Sequence, residues 1–314
     1  MRFYLAPMEG ITGYIYRNAY QEFFSGMDKY ITPFLTPKPK KGFTSRELND
    51  ILPEHNEELA VIPQLLTNSA EDFLRAGKLL SAYGYKEINL NLGCPSGTVV
   101  SKGKGAGFLK KPKELDNFFD EIFAEAEFDI SVKTRIGADE PEEFCELLEI
   151  YNKYPIRELM IHPRIRQDYY SNVPNIMVYK QALRESRNPV CYNGDIFSKK
   201  SYESLIEECP ATQAVMCGRG IIANPGLLRQ MKGEGWILKE ELLEFHNRIW
   251  EGYLNVMSGD KNALYKMKEI WFYMQEIFTN PERYMKKIKK AENRKEYEIA
   301  VNSLFKEQEL ITDN

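Results

Sequence analysis

The hydrophobic residues of this chain gather into eight short runs, and the segments between the runs carry a helical pattern. The runs begin at residues 3, 30, 59, 88, 130, 159, 190 and 214, with one longer gap before the fifth. The segment after the third run has Ser69 as a candidate N-cap and ends at Gly84. Strands that alternate with helices predict parallel pairing, and eight such units predict a closed (β/α)8 TIM barrel of the α/β class. An open doubly wound sheet is the alternative that this pattern allows.

Beyond the eighth run the pattern is helical only, and it predicts a small all-helical C-terminal domain. We therefore expect a barrel domain over residues 1–236 and a helical domain over residues 237–314. Asn280 is the predicted N-cap of one helix in this region, with Pro281 at its first position. The last residues, 307–314, are expected to be disordered. The apolar stripes that support the helical domain are Leu242, Ile249, Tyr253 and Met257, followed by Leu264, Met267, Trp271, Met274 and Phe278.

The composition is that of an ordinary globular protein, with 314 residues, of which 43% are hydrophobic and 28% charged. No apolar run approaches the roughly 18 residues that a membrane span needs, and the N-terminal segment breaks at Pro7 and Gly10, too early for a signal peptide. The five cysteines form no CxxC pair, and the three histidines are scattered. We therefore expect a cytoplasmic monomer without disulfides, a metal site or a membrane partner.

Polar or unusual residues stand at the C-terminal ends of the runs. Active-site residues of TIM-barrel enzymes collect at that face, so these residues predict one shared site. They are Ala6, Pro7 and Met8, then Gln64, Asn91 with Cys94, Lys133 with Arg135, His162 with Arg164, Asn193 with Gly194 and Asp195, and Gly218 with Arg219 and Gly220.

The chemistry of this set favours a bound, phosphorylated cofactor. Glycine-rich turns end the seventh and eighth runs, and such turns offer backbone N–H groups to phosphate. The chain contains no HExxH, GxSxG or P-loop motif. In such a site, Lys133 is a candidate to stabilise negative charge on a reduced ring, and Gln64 to bind the ring edge. Cys94, placed between Gly93 and Pro95, is a candidate acid, nucleophile or ligand.

The motifs LAPMEGIT, NLNLGCPSGTVV, KTRIG, NGDI and VMCGRGIIANP occur in this order along the chain. Together they resemble the motif series of the tRNA-dihydrouridine synthases. The resemblance implies an enzyme with FMN as cofactor that uses NADPH to reduce specific uridines of tRNA to 5,6-dihydrouridine. Two positions depart from the family pattern: Pro163 follows His162, where Gly or Ala is common, and Gly13 stands where an acidic or amide residue is common.

The resemblance also implies a role for each matching residue. Cys94 is the implied general acid, since a thiol with an ordinary pKa of about 8.5 is protonated at pH 7. Asn91 is implied to orient the target uracil. Ala6, Pro7 and Met8 are implied to line the flavin, Gln64, Lys133 and His162 to contact its ring or chain, and Asn193, Gly194, Asp195, Gly218 and Arg219 to hold its ribityl chain and phosphate.

The net charge of −4 argues weakly against a nucleic-acid partner, but the local distribution of charge favours tRNA. The segment 96–113 has five lysines and no acid, and its glycines predict a lid that closes over the site. Residues 261–295 carry ten basic and four acidic side chains. Candidate RNA contacts are Lys102, Lys104, Arg164, Arg166, Lys286 and Lys287, with Lys38, Lys40 and Lys41 after the second run. Solvated loops and an exposed helix face are the alternative interpretations.

Two other functions stay open on the sequence. One is a small-molecule flavin oxidoreductase of the dihydroorotate or dihydropyrimidine dehydrogenase type, which needs no basic helical tail. The other is an RNA-binding protein that keeps a flavin without turnover. The tRNA position and a ribosomal RNA target are also left open.

Overall fold

A computed structural model of the chain describes residues 1–38 and 42–312, and nine short parallel strands form its sheet. The strand order is β3-β2-β1-β9-β8-β7-β6-β5-β4, and its two ends, β3 and β4, follow each other in the chain. The predicted barrel is therefore confirmed. The strands are β1 (Arg2–Leu5), β2 (Lys29–Ile31), β3 (Val61–Ile62), β4 (Gln64–Leu65), β5 (Glu87–Leu92), β6 (Asp129–Arg135), β7 (Leu159–His162), β8 (Val190–Tyr192) and β9 (Ala214–Cys217).

Pro63 divides the third predicted strand into two. β3 pairs with β2 and β4 pairs with β5, so the chain changes its partner at the proline. Proline has no N–H to give to a ladder, while its carbonyl still accepts a hydrogen bond of 2.8 Å from the Asn89 N–H. The barrel therefore closes where one backbone donor is missing.

The helices of the described residues alternate with these strands and then continue alone. Ser69 caps α3 as predicted, because its side chain accepts a hydrogen bond of 3.2 Å from the Asp72 N–H. The helices are α1 (Tyr14–Phe23), α2 (Ser45–Ile51), α3 (Ala70–Ala82), α4 (Gly97–Val100), α5 (Pro112–Glu125), α6 (Glu143–Tyr151), α7 (Ile176–Glu185), α8 (Lys199–Glu208), α9 (Arg219–Ala223), α10 (Leu227–Lys232), α11 (Lys239–Val256), α12 (Asp260–Met274), α13 (Glu282–Lys290) and α14 (Arg294–Glu307).

Contacts between residues divide the chain into two compact units. The first, here called the barrel unit, contains Met1–Pro7, Asp28–Asp195 and Glu208–Met216. The second, here called the helical unit, contains Met8–Met27, Ile196–Glu207 and the chain from Cys217 onward. The predicted boundary between a barrel domain, residues 1–236, and a helical domain, residues 237–314, stays a prediction.

A network of charges fills the amino ends of the strands in the barrel unit. Glu158, which is 1% exposed, accepts a hydrogen bond of 2.9 Å from the Tyr4 hydroxyl and pairs with Arg2 at 3.0 Å and Lys29 at 3.2 Å. Lys29 also pairs with Glu87 at 2.8 Å. A buried carboxylate is costly unless it is paired. These contacts therefore fix β1, β2, β5 and the start of β7 relative to one another.

The core of the helical unit contains a buried polar group of three rings. The Tyr297 oxygen accepts a hydrogen bond of 2.8 Å from Trp271 Nε1 and lies 2.7 Å from His246 Nε2. Because the Asn247 side-chain oxygen can only accept, the proton of the neutral His246 is on Nδ1, and Nε2 accepts from the Tyr297 hydroxyl. Nδ1 donates to Asn247 Oδ1 at 2.9 Å. Burial lowers the pKa of His246 to about 4.

Two expectations for the helical unit are wrong. Asn280 has φ +44° and does not cap α13; Pro281 is the N-cap residue and the helix begins at Glu282. The end of the chain is not disordered up to residue 312. Thr279 donates its N–H to the Glu309 carbonyl at 2.9 Å, and Ile311 donates to the Ile277 carbonyl at 2.8 Å.

We expect the helical unit to lose stability in acid because of His246. Between pH 6.5 and about 4 the unfolded chain binds a proton at this residue that the folded chain does not bind. The free energy of unfolding should therefore fall as the pH falls through this window. Hydrogen exchange of α11, α12 and α14 against pH measures the effect. His246→Gln should flatten the slope, and an equal slope in both proteins would contradict the prediction.

Candidate active site at the carboxyl ends of the strands

A chain of amides crosses the interior of the barrel unit. Asn91 Nδ2 donates to Gln64 Oε1 at 2.7 Å, and Gln64 Nε2 donates to Asn89 Oδ1 at 2.8 Å. Asn89 Nδ2 continues the chain to the Ser131 hydroxyl at 2.9 Å. All four side chains are buried. Because the nitrogen of each amide donates to an oxygen of the next side chain, the orientation of each amide is determined. The roles of Asn89 and Ser131 were not predicted, although Asn89 and Asn91 stand two positions apart in one strand, on the same face.

The end of this chain sets the position of Cys94. The Asn91 side-chain oxygen accepts the backbone N–H groups of Gly93 at 3.0 Å and Cys94 at 2.9 Å. The Cys94 carbonyl in turn accepts the Ala106 N–H at 3.0 Å. The turn after β5 is therefore held from both sides, and the half-buried Cys94 side chain stands at its end.

The glycines after Cys94 permit close packing, while the expectation that this segment closes over the site as a lid stays a prediction. Gly105 has φ +55°, and a Cβ there would lie 2.8 Å from the Cys94 carbonyl oxygen. A Cβ on Gly107 would lie 2.7 Å from the Val100 carbonyl oxygen. Residues 105–109 are buried, and the Asn68 amide donates to the carbonyls of Lys102 and Gly103. The segment is fixed in place by these contacts.

Arg135 links the turn after β5 to the segment after β7. Its guanidinium donates to the carbonyls of Gly93 at 3.0 Å, Ile165 at 2.8 Å and Tyr169 at 2.7 Å. It also lies 5.5 Å from the centre of the Tyr170 ring. The side chain is 1% exposed, so it acts inside the protein. The sequence marked Arg135 as a strand-end residue but gave no sign of these partners.

Lys133 is a cation without a partner among the described residues. It pairs with Asn91 in the β5–β6 ladder, so the two side chains share a face. Its ammonium makes no hydrogen bond or ion pair within residues 1–38 and 42–312. Burial, followed by the charge of Arg135, lowers the pKa of Lys133 to about 8, while the thiols of Cys191 and Cys94 act in the opposite direction. Its charge is therefore available to an anionic ligand.

His162 is held in one tautomer by Arg164. Arg164 is 2% exposed and binds the Asp195 carboxylate through both terminal nitrogens. One of these nitrogens also lies 3.1 Å from His162 Nε2. Because a guanidinium cannot accept, Nε2 is the acceptor, and the proton of a neutral His162 is on Nδ1. Arg164 was expected to contact RNA, but its buried guanidinium is committed to Asp195, His162 and the Asn172 carbonyl.

The other predicted cofactor residues lie in both units. In the barrel unit, Ala6 and Pro7 follow β1, and Asn193 donates to the Met216 carbonyl at 2.9 Å. Gly194 cannot be replaced without rearrangement, since a Cβ there would lie 2.1 Å from the Tyr192 hydroxyl oxygen.

In the helical unit, the Met8 N–H donates to the Thr12 hydroxyl at 2.8 Å. Gly218 is the N-cap residue of α9. The Arg219 guanidinium lies 5.2 Å from the centre of the Phe197 ring.

The predicted RNA contacts differ in how far their charges are already used. Lys102 and Lys104 form no ion pair within the described part of the chain, whereas Lys110 pairs with Asp139 at 2.6 Å and Lys111 with Glu114 at 2.9 Å. Arg166 also pairs with Asp139, at 3.2 Å. Hydrogen bonds from Lys110, then Gln167, lower the pKa of Asp139 to about 2.

In the helical unit, Lys286 and Lys287 are exposed on α13, whose buried face is formed by Tyr284, Met285 and Ile288. Lys38 is exposed. Lys40 and Lys41 lie outside the described residues.

The described residues contain neither a membrane-spanning helix nor a cluster of metal ligands. None of the helices is long and apolar enough to cross a membrane. No group of three or more His, Cys, Asp or Glu side chains within residues 1–38 and 42–312 is arranged to hold a metal ion.

Comparison with known proteins gives a consistent picture. The model of the family described as dihydrouridine synthase (Dus) matches residues 4–313. The tRNA-dihydrouridine synthase B of Pasteurella multocida is 26% identical over 289 residues, which cover 89% of this chain and 86% of that protein. A probable tRNA-dihydrouridine synthase of Staphylococcus aureus is 30% identical over 262 residues, covering 80% and 78%.

Among solved structures, a variant of NCR from Zymomonas mobilis aligns with a TM-score of 0.52 at 12% identity. The alignment covers 76% of this chain and 88% of that one. At this identity the similarity concerns the fold alone.

We expect Gly105→Ala to disturb the site more than a glycine replacement elsewhere. The new methyl group meets the backbone oxygen of Cys94, which cannot move without breaking its hydrogen bond to Ala106. Gly84→Ala is the matched control, because Gly84 has φ +95° but nothing within 4 Å of its Cβ position. The control should lose about 1–2 kcal/mol of unfolding free energy from the backbone alone, and Gly105→Ala clearly more. Equal losses in denaturant titrations would contradict the contact.

Proposed function

This chain belongs to the dihydrouridine synthase family, and on that premise we propose that it reduces specific uridines of tRNA to 5,6-dihydrouridine. FMN is the proposed cofactor and NADPH the proposed reductant. The observation that carries the proposal is the arrangement around Asn91, which holds the Cys94 turn and shares a face with the unpaired Lys133 ammonium. A proton donor and a free cation thus lie at the carboxyl ends of neighbouring strands.

The side chains in the barrel unit fit a flavin ring. The Lys133 ammonium has no partner within residues 1–38 and 42–312 and suits the negative charge of a reduced ring, and the Nδ1–H of His162 is a donor held in orientation by Arg164. Gln64 adds a buried amide that accepts a hydrogen bond from Asn91. When bound, FMN reduced by NADPH supplies the hydride that is added to carbon 6 of the uracil. The motifs also give cofactor-binding roles that stay predictions, for Ala6, Pro7, Met8, Asn193, Gly194, Asp195, Gly218 and Arg219.

Cys94 is the proposed acid. Its Sγ–H gives a proton to carbon 5 of the uracil, and the resulting thiolate is near enough to Lys133 to be stabilised by the ammonium charge. Asn91 and Arg135 hold the turn that carries the thiol. The Cys94 side chain is only half-buried, so the thiolate can recover its proton from solvent once the product has left.

The proposed RNA contacts are lysines that form no ion pair within the described residues. We assign phosphate contacts to Lys102 and Lys104 in the barrel unit and to Lys286 and Lys287 in the helical unit, residues 237–314 being the proposed RNA-binding domain. Arg164 becomes a positioning residue for His162 and Asp195 instead of an RNA contact. The target uridine must leave its stack to reach Cys94, at a cost of a few kcal/mol.

Cys94→Ala tests the proton donor. We expect the variant to bind FMN and to be reduced by NADPH as the wild type is, because no cofactor contact is removed. Dihydrouridine formation in unmodified tRNA should fall at least 100-fold, the usual scale of a lost general acid. Formation at the wild-type rate would show that the donor is assigned wrongly. Turnover of free dihydropyrimidines without any RNA would favour a small-molecule enzyme.

The lysines of α13 test the RNA surface. Lys286→Glu with Lys287→Glu should weaken tRNA binding and reduce the salt dependence of log Kd by about one for each lost phosphate contact. Flavin content should not change. Lys78→Glu with Lys86→Glu is the matched control, since both lysines are exposed and Lys86 precedes β5 at its amino end. Equal tRNA affinity in the two double variants would contradict the assignment.

A further inference from the structure

The turn after β7 contains a backbone conformation that its residue does not favour. Residues 168–171 form a turn closed by a hydrogen bond of 2.8 Å from the Ser171 N–H to the Asp168 carbonyl. Tyr169, the first central residue, has φ +48° and ψ −94°. These angles are close to the first central position of a type II′ turn, where glycine is the usual residue. A tyrosine there strains the backbone.

Burial of the ring does not offset this strain. The Tyr169 side chain is 48% exposed, and Tyr170, Val173 and Met177 of the same segment are 52%, 87% and 66% exposed. Strain that persists without a packing gain is typical of functional sites. Four exposed apolar or aromatic residues in nine positions also mark a surface that meets a partner.

Arg135 places Tyr169 beside the proposed proton donor. The same guanidinium binds the carbonyls of Tyr169 and Gly93, so these two oxygens lie no more than about 8 Å apart. Gly93 immediately precedes Cys94. Lys104 is also close, because a Cβ on the next residue, Gly105, would lie 2.8 Å from the Cys94 carbonyl oxygen.

The neighbourhood favours a nucleic acid over a protein partner. Lys102 and Lys104 carry no ion pair within the described residues, so their charges are open to phosphate. Exposed aromatic rings together with lysines around one site are the combination with which proteins hold unpaired nucleotides, the rings by stacking and the lysines by charge. A protein partner would desolvate these ammonium groups, which is costly unless the partner also supplies acidic side chains to pair with them.

We propose that the Tyr169 ring stacks on an unpaired nucleobase that flanks the target uridine, and that the strained turn is kept for this contact. The proposal rests on the proposed function and adds a specificity-determining residue to it. Glycine at this position would relax the turn but would present no ring to the RNA. Stability and RNA binding therefore make opposite demands on one residue.

Three substitutions separate the ring from the strain. Tyr169→Phe keeps both, Tyr169→Leu keeps the strain without the ring, and Tyr169→Gly removes both. We expect kcat/KM for unmodified tRNA to stay within twofold in the first and to fall about tenfold in the other two, the scale of one lost base stack. Only Tyr169→Gly should raise the unfolding midpoint. Flavin content and anaerobic reduction by NADPH should not change.

Ser25→Gly is the matched control. Ser25 has φ +41° and lies in the helical unit, so its replacement should raise the unfolding midpoint and leave kcat/KM for tRNA unchanged. Wild-type kcat/KM in Tyr169→Leu would overturn the stacking contact, and so would a loss of flavin in that variant. If the wild type forms no dihydrouridine, the proposed function fails. The stacking contact is then judged by the Kd for unmodified tRNA, and an equal Kd in Tyr169→Leu overturns it.

Discussion

The hydrogen bonds accepted by the Asn91 side-chain oxygen are the constraint on which the site depends. They hold the N–H groups of Gly93 and Cys94, and they require the Asn91 nitrogen to point to Gln64. Because buried amides must be satisfied, Gln64 in turn has one orientation only, set by Asn89 and Ser131. The place of the thiol is therefore determined from inside the barrel as well as by the loop that carries it. A residue at a strand end is in this way positioned by the rigid sheet to which it is hydrogen-bonded.

Most of the barrel could be predicted because its signals are local. Each apolar run, and the cap at Ser69, is visible within a few residues. The features that the sequence did not predict depend on distant segments. Pro63 is plain in the sequence, but its effect, a change of partner from β2 to β5, exists only when the sheet closes. Likewise the pairing of Thr279 with Glu309 joins segments thirty residues apart, so the sequence alone indicated a disordered end.

The candidate site was predictable as a set of residues, but not in its internal contacts. The position of polar residues at strand ends selected both Arg164 and Asp195 without showing that they bind each other. That pairing removes Arg164 from the surface. Glycines present a similar ambiguity, since one residue type serves both motion and close approach. That Gly105 serves close approach is visible only from the position of the Cys94 carbonyl, which leaves no room for a side chain there. The partners of Arg135 come from two separate segments, the turn after β5 and the segment after β7, which no short motif records.

The fixed segments around Cys94 have a consequence for how water is excluded. The turn after β5 is held by Asn91, Ala106 and Arg135, and the segment after β7 is held by the same arginine. The Cys94 side chain nevertheless remains half-buried, and proton transfer from a thiol to carbon is favoured in a site shielded from solvent. On the proposed function, the RNA substrate contributes to this shielding. A tRNA seated on the unpaired lysines adds to it, so docking of the RNA and assembly of a dry site are coupled. A free pyrimidine carries no phosphates for these lysines to bind, which is a physical reason for such an enzyme to act on RNA and not on the isolated base.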